Sequence, residues 1–121
     1  MTMSNLCVLS INVNDMDQAR RFYCDILGFE ISRVYDEEII SLKNEGISLI
    51  LQKCERRADT DYPHEAQVII GIETADVNAA IEAYKSQGVE VIIEPPKPCP
   101  PGLYSAIRDP FGNVIELLEF T

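Results

Sequence analysis

Apolar residues recur along this chain with two different periods. From Cys7 to Val13 they alternate, with Cys7, Leu9, Ile11 and Val13 on one side and Val8, Ser10 and Asn12 on the other, the period of a half-buried strand. From Met16 the spacing lengthens. Met16, Ala19, Phe22, Tyr23 and Ile26 recur as one face of a helix, whose core side they would form. Asn14 and Asp15 stand just before it, where a short polar side chain caps the first free N–H groups and a negative charge meets the positive helix end. Gly28 follows and accepts the left-handed backbone that ends a helix. Alternation then predicts three more strands, at about 29–35, 38–43 and 47–52.

The same pattern then repeats at an offset of 61 residues: Cys7, Leu9 and Ile11 fall over Val68, Ile70 and Ile72, Asp15 over Asp76, and Tyr23 over Tyr84. After a one-residue deletion, Gly28-Phe29-Glu30-Ile31 falls over Gly88-Val89-Glu90-Val91. The second copy predicts a strand from Val68 to Glu73 and a helix carrying Val77, Ala80, Ile81 and Tyr84 that stops at Gly88. Strands at about 89–94, 103–108 and 113–120 complete it. Both copies read β-α-β-β-β, which makes the chain an α+β protein of two tandem units, about 6–52 and about 66–120, within a single pseudo-twofold domain spanning 1–121. Residues 53–64, KCERRADTDYPH, are polar and read as a linker. Residues 95–101 hold five of the seven prolines, so a stiff extended loop is expected there, either a plain connection or the rim of a pocket.

Composition narrows the function. At 46% hydrophobic and 25% charged over 121 residues, the chain has the balance of a globular domain with a core. No apolar run is long enough to span a bilayer. Twenty acidic against ten basic residues give a net charge of −10, which repels phosphate backbones, argues against nucleic acid as a partner, and suits a cationic ligand. Cys7, Cys24, Cys54 and Cys99 form no C-x-x-C pair and no export signal is visible, so reduced thiols in the cytoplasm are expected. Cys7 and Cys24 sit in apolar patterns and are expected to behave as small buried hydrophobes.

The repeated unit, the stretch VNDMDQARRFYCDILGFEI and the late stretch IRDPFGNVIELLE together resemble the vicinal oxygen chelate superfamily. That group includes glyoxalase I, extradiol dioxygenases, and the fosfomycin and bleomycin resistance proteins. The resemblance implies a glyoxalase-like fold with a concave cleft, but no particular reaction, because lyases, isomerases, oxygenases and ligand-sequestering proteins share the scaffold. It also implies homodimers with shared clefts, as in resistance-type relatives of this length. The D-P-x-G-N segment is in itself a turn device: Pro110 presets one corner, Gly112 takes a left-handed backbone and Asp109 bonds the turn.

The resemblance assigns metal ligands to four positions, two on the first and two on the last strands of the units. Here they are Val8, Ile69, Ile50 and Glu116. Three hydrocarbons and one carboxylate make no cation site, so neither metal nor cofactor is expected. His64, the one histidine, lies outside the strand, and moving it into register would turn the apolar face to water. The positions where glyoxalase I relatives hold glutathione with basic residues are Asn12 and Glu65 here, which speaks against that substrate.

Alternation still supplies a list of cleft residues. Val8, Ser10, Asn12, Ile50 and Gln52 come from the first unit. Ile69, Glu73, Tyr104, Arg108 and Glu116 come from the second, with Tyr104 and Arg108 placed by the resemblance. An apolar floor with a few polar groups is the usual makeup of a small-molecule site. Glu116 either forms an ion pair with Arg108, accepts a hydrogen bond from a ligand, or acts as a catalytic base. The leading expectation is a metal-free protein that sequesters a small ligand. Its rival is a glyoxalase-like lyase or dioxygenase, metal-dependent or using Glu116 as base. A third expectation is a domain with a vestigial cleft.

Overall fold

Asp15 and Asp76 each cap a helix, their carboxylates accepting the N–H of Gln18 and of Ala79 at 3.0 Å, so the two start signals hold at both copies of the repeat. The structure is a computed structural model and describes residues 3–66 and 68–121. The chain divides into two compact units, the first ending at Arg57 and the second beginning at Ala58.

In the first unit, strand β1 (Val8–Val13) leads into helix α1 (Met16–Arg20), which continues as a π-helical stretch over Arg21–Ile26. Strands β2 (Ile31–Val34), β3 (Ile39–Leu42) and β4 (Ser48–Lys53) follow. The sheet order is β1-β4-β3-β2, with β1 parallel to β4 and the other neighbours antiparallel. Ile11, Val13, Leu49, Leu51, Ile40 and Leu42 are buried with Ala19, Phe22 and Tyr23 of the helix. The helix departs from a plain α-helix where its two aromatic residues are adjacent. The Leu27 N–H reaches the Phe22 carbonyl five residues back, and this wider turn lets Phe22 and Tyr23 both point inward, their rings edge-on at 5.0 Å. Gly28 closes it at φ +89°. Cys7 is a correction: it precedes β1 and is exposed, not buried, while Cys24 is half-buried.

In the second unit, β5 (Ile70–Glu73) precedes α2 (Val77–Ser86), and β6 (Glu90–Val91), β7 (Lys97–Cys99), β8 (Gly102–Arg108) and β9 (Val114–Phe120) follow. The order is β5-β9-β8-β6, with β7 also paired to β8. The strand expected at 89–94 therefore shortens to β6, against Arg108 and Ile107, and β7, which lies beyond it in the proline-rich segment, pairs with the rest of β8 from Tyr104 to Gly102. The bend at 92–95 separates them. The proline-rich segment is thus not simply a loop, for part of it is a strand. Pro98 is tolerated because β7 has β8 on one side only, and an edge residue needs no second donor. Val77, Ile81, Ile107, Ile115 and Leu117 fill the core.

The linker expected at 53–64 also changes character. Lys53 completes β4, and from Ala58 onward the chain belongs to the second unit. The Ala58 N–H donates to the Phe111 carbonyl at 2.8 Å, and Arg108 Nη1 donates to the Thr60 carbonyl at 3.1 Å. No helix among the described residues is long and apolar enough to cross a membrane.

Candidate functional site

Strand register decides which side chains share a face. In the first unit Val8 lies opposite Ser48, Ser10 opposite Ile50, and Asn12 opposite Gln52. All five residues expected from this unit are therefore on the sheet face turned away from the buried side chains. Val8 is 45% exposed, and Ile50 is half-buried. Ser41 continues the Ser10–Ile50 row on β3 and accepts a 3.0 Å hydrogen bond from the Ser32 hydroxyl. This face is hydrocarbon and neutral polar groups, with no titratable side chain among the five.

In the second unit Gly71, Glu116 and Ala106 form one row across β5, β9 and β8, and Glu73, Leu118 and Tyr104 form the next. Arg108 lies opposite Val114. Four of the five residues expected here thus lie on one face, and Ile69, expected inside the strand, stands just before β5 and is half-buried.

The expected ion pair between Glu116 and Arg108 does not form. Arg108 Nε reaches Glu90 at 3.4 Å, and its Nη1 also donates to the Gly112 carbonyl at 3.3 Å. Glu116 instead accepts a 2.6 Å hydrogen bond from the hydroxyl of Tyr62. Tyr62 was not among the residues read from the sequence. Its one signal there is an aromatic ring in an otherwise polar segment, and its partner lies 54 residues away. Because Thr60 is bonded to Arg108 and Tyr62 to Glu116, the segment 58–66 runs as a strap over the open face of β8 and β9.

Burial pushes the Tyr62 phenol well above the usual tyrosine range, helped by its hydrogen bond to Glu116, the charge of that carboxylate, and neighbouring Tyr104. The fold favours the protonated phenol. Its contribution is therefore complete below about pH 10, where an unfolded tyrosine titrates, and is lost as the pH rises through the folded value. Ultraviolet titration is expected to show one tyrosine ionising later than in Glu116→Gln, and identical curves would contradict this account.

The four positions assigned to metal ligands do not fit a cation. Val8, Ile50 and Ile69 offer no donor atom, and Glu116 already accepts from Tyr62. Among the described residues no group of three or more His, Cys, Asp or Glu could hold a metal ion. An open depression of about 770 Å³ lies elsewhere in the first unit, beside the start of α1, and Asp15, Asp17, Asp36 and Glu37 are among its lining. Asp15 and Asp36 are committed to backbone N–H groups there, and none of the ten expected residues lines it.

The family model for the Glyoxalase/Bleomycin resistance protein/Dioxygenase superfamily matches residues 5–117. Among solved structures, an antibiotic binding protein from Streptomyces sp. CB03234 is 26% identical, with a TM-score of 0.74 over 100% of this chain and 99% of that one. A lactoylglutathione lyase from Agrobacterium tumefaciens is 25% identical, with a TM-score of 0.71 over 98% and 96%. A fosfomycin resistance protein from Mesorhizobium loti, 19% identical over 99% and 95% with a TM-score of 0.73, shares the fold. No curated protein matches the sequence.

Proposed function

Because the chain belongs to the glyoxalase/bleomycin resistance protein/dioxygenase superfamily, we propose that it binds and sequesters a small organic molecule without a metal ion. One observation carries this reading: Glu116, the single oxygen donor among the four ligand positions, is engaged by the Tyr62 phenol. A carboxylate held in a hydrogen bond on a largely apolar face is suited to recognising a donor on a ligand. It is poorly suited to capturing a cation unaided. The antibiotic binding protein among the similar structures supports binding as the activity. The acidic Glu65 and neutral Asn12, where glutathione would need basic groups, weigh against a lyase.

The ligand contacts in this proposal are taken unit by unit: Val8, Ser10, Asn12, Ile50 and Gln52 on the open face of the first, and Ile69, Glu73, Tyr104, Arg108 and Glu116, with Tyr62 added, in the second. Both a cation, which the net charge of −10 would suit, and a neutral hydroxyl donor can satisfy Glu116. A homodimer in the cytoplasm belongs to the same proposal. The test is metal analysis of protein purified without chelator or histidine tag, then incubated with manganese, iron, nickel and zinc. No stoichiometric ion is expected, and one tightly held ion per chain would overturn the proposal in favour of a metal-dependent enzyme.

A further inference from the structure

The strap gives the site an occupant of its own. We propose that Tyr62 is an internal ligand of the second unit's open face, and that the molecules this face takes up carry a ring hydroxyl able to displace it from Glu116. This rests on the reading of that face as the ligand-binding one.

The geometry is that of a bound ligand group. The phenol oxygen lies 2.6 Å from a carboxylate oxygen, in the range of a charge-assisted O–H to O⁻ bond, about twice as strong as a neutral one. Leu118 and Tyr104 form the next register row on β9 and β8, and Tyr104 is near enough to influence the Tyr62 phenol. A ring laid on Glu116 therefore has apolar and aromatic neighbours.

The strap is also built to lift. Its bonds to the sheet and its turn are few: Ala58 to Phe111, Thr60 to Arg108, and Tyr62 to Glu116. Asp59, Asp61 and residues 63–65 are exposed, so the apolar burial that holds it down is confined to half-buried Ala58, Tyr62 and Ala66. Its own turn is closed internally, with the Asp61 N–H on the Glu65 carboxylate and the Glu65 N–H on the Asp61 carbonyl. A segment with few buried contacts and local bonding opens at low cost as a unit.

Displacement sets the ligand chemistry. An aromatic molecule without a donor would leave a half-buried carboxylate unpaired, which is unfavourable. A cation would set a second positive charge beside Arg108, which lies one diagonal step from Glu116 on the neighbouring strand and whose ion pair with the exposed Glu90 is long at 3.4 Å and screened by water. Glu73 offsets this little, because it is exposed at the end of edge strand β5 and screened by water. A neutral ring hydroxyl reproduces what Tyr62 already supplies.

The probes are p-cresol, which is the tyrosine side chain as a free molecule, and toluene, its counterpart without the hydroxyl. Each is titrated into the wild type, Tyr62→Phe and Tyr62→Ala, with amide spectra reporting on β8 and β9. Tyr62→Phe is expected to bind p-cresol about tenfold more tightly than the wild type, the effect of one weakened competitor bond. Tyr62→Ala should bind it more tightly still. Adding Glu116→Gln to Tyr62→Phe should weaken the preference for p-cresol over toluene, because the amide oxygen accepts only a neutral hydrogen bond. Equal affinity in the wild type and Tyr62→Phe, with shifts on β8 and β9, would overturn the internal ligand and leave the ligand face standing. No shift on either strand in any variant would overturn both. Tyr62→Phe keeps the ring, so the comparison survives if the alanine variant folds poorly.

Discussion

Truncating Phe111 to alanine is expected to lower the stability of the second unit by about 4 kcal/mol, the ordinary cost of emptying a buried aromatic site. Phe111 is 1% exposed although it sits in a turn. Its N–H donates to the Asp109 carboxylate at 2.9 Å and its carbonyl accepts from Ala58 at 2.8 Å. The Asp109 carboxylate also takes the N–H and the side-chain amide of Asn113, each at 2.8 Å. The ring thus anchors a turn whose polar groups are already satisfied, and also the point from which the strap leaves. Denaturant unfolding measures the loss. A change below about 1 kcal/mol, the typical effect of an unexceptional substitution, would show that the turn holds without its ring.

Gly112→Val is the second large effect, with an expected cost of about 3 kcal/mol from backbone strain and steric exclusion together. Gly112 has φ +89°, and a Cβ there would run into the Ala58 carbonyl oxygen. Gly88 is the control. It has a similar φ of +82° with nothing within 4 Å of an added Cβ, so Gly88→Val should cost only the left-handed strain, about 1–2 kcal/mol. The excess at Gly112 measures how firmly the strap is seated. Hydrogen exchange at the Ala58 amide should also quicken in Gly112→Val alone. Equal costs at the two glycines, with Ala58 exchange unchanged, would mean the strap is not seated there.

Local rules carried the reading of the fold as far as neighbours in sequence set the structure. Alternation placed β1, β4, β8 and β9, and the aspartates and glycines bounded both helices, because caps and left-handed stops act within a few residues. The repeat placed the second copy by analogy with the first. What escaped was set by contacts distant in sequence. β7 forms in a proline-rich segment only because β8 offers it a partner. The wide turn at Arg21–Ile26 answers the need to bury two adjacent rings against a sheet that periodicity cannot see. At the site, the faces were legible from period two, but the partner of Glu116 was not. Arg108, two residues from the facing strand position, looked nearer in sequence logic than Tyr62, whose polar surroundings have no period to place it.

The parallel pairs β1–β4 and β5–β9 set the order in which each unit can be completed. In both sheets the last strand made is an inner one: β4 lies between β1 and β3, and β9 between β5 and β8. The first strand therefore emerges from synthesis with no partner inside its own unit and waits for the last. Until β9 is made, β5 and β8 are both exposed on the side it will fill, and the non-local contact that joins them is the slow kind. During biosynthesis the first unit can close once Lys53 is made, whereas the second stays open until its seventh residue of β9, Phe120, is in place.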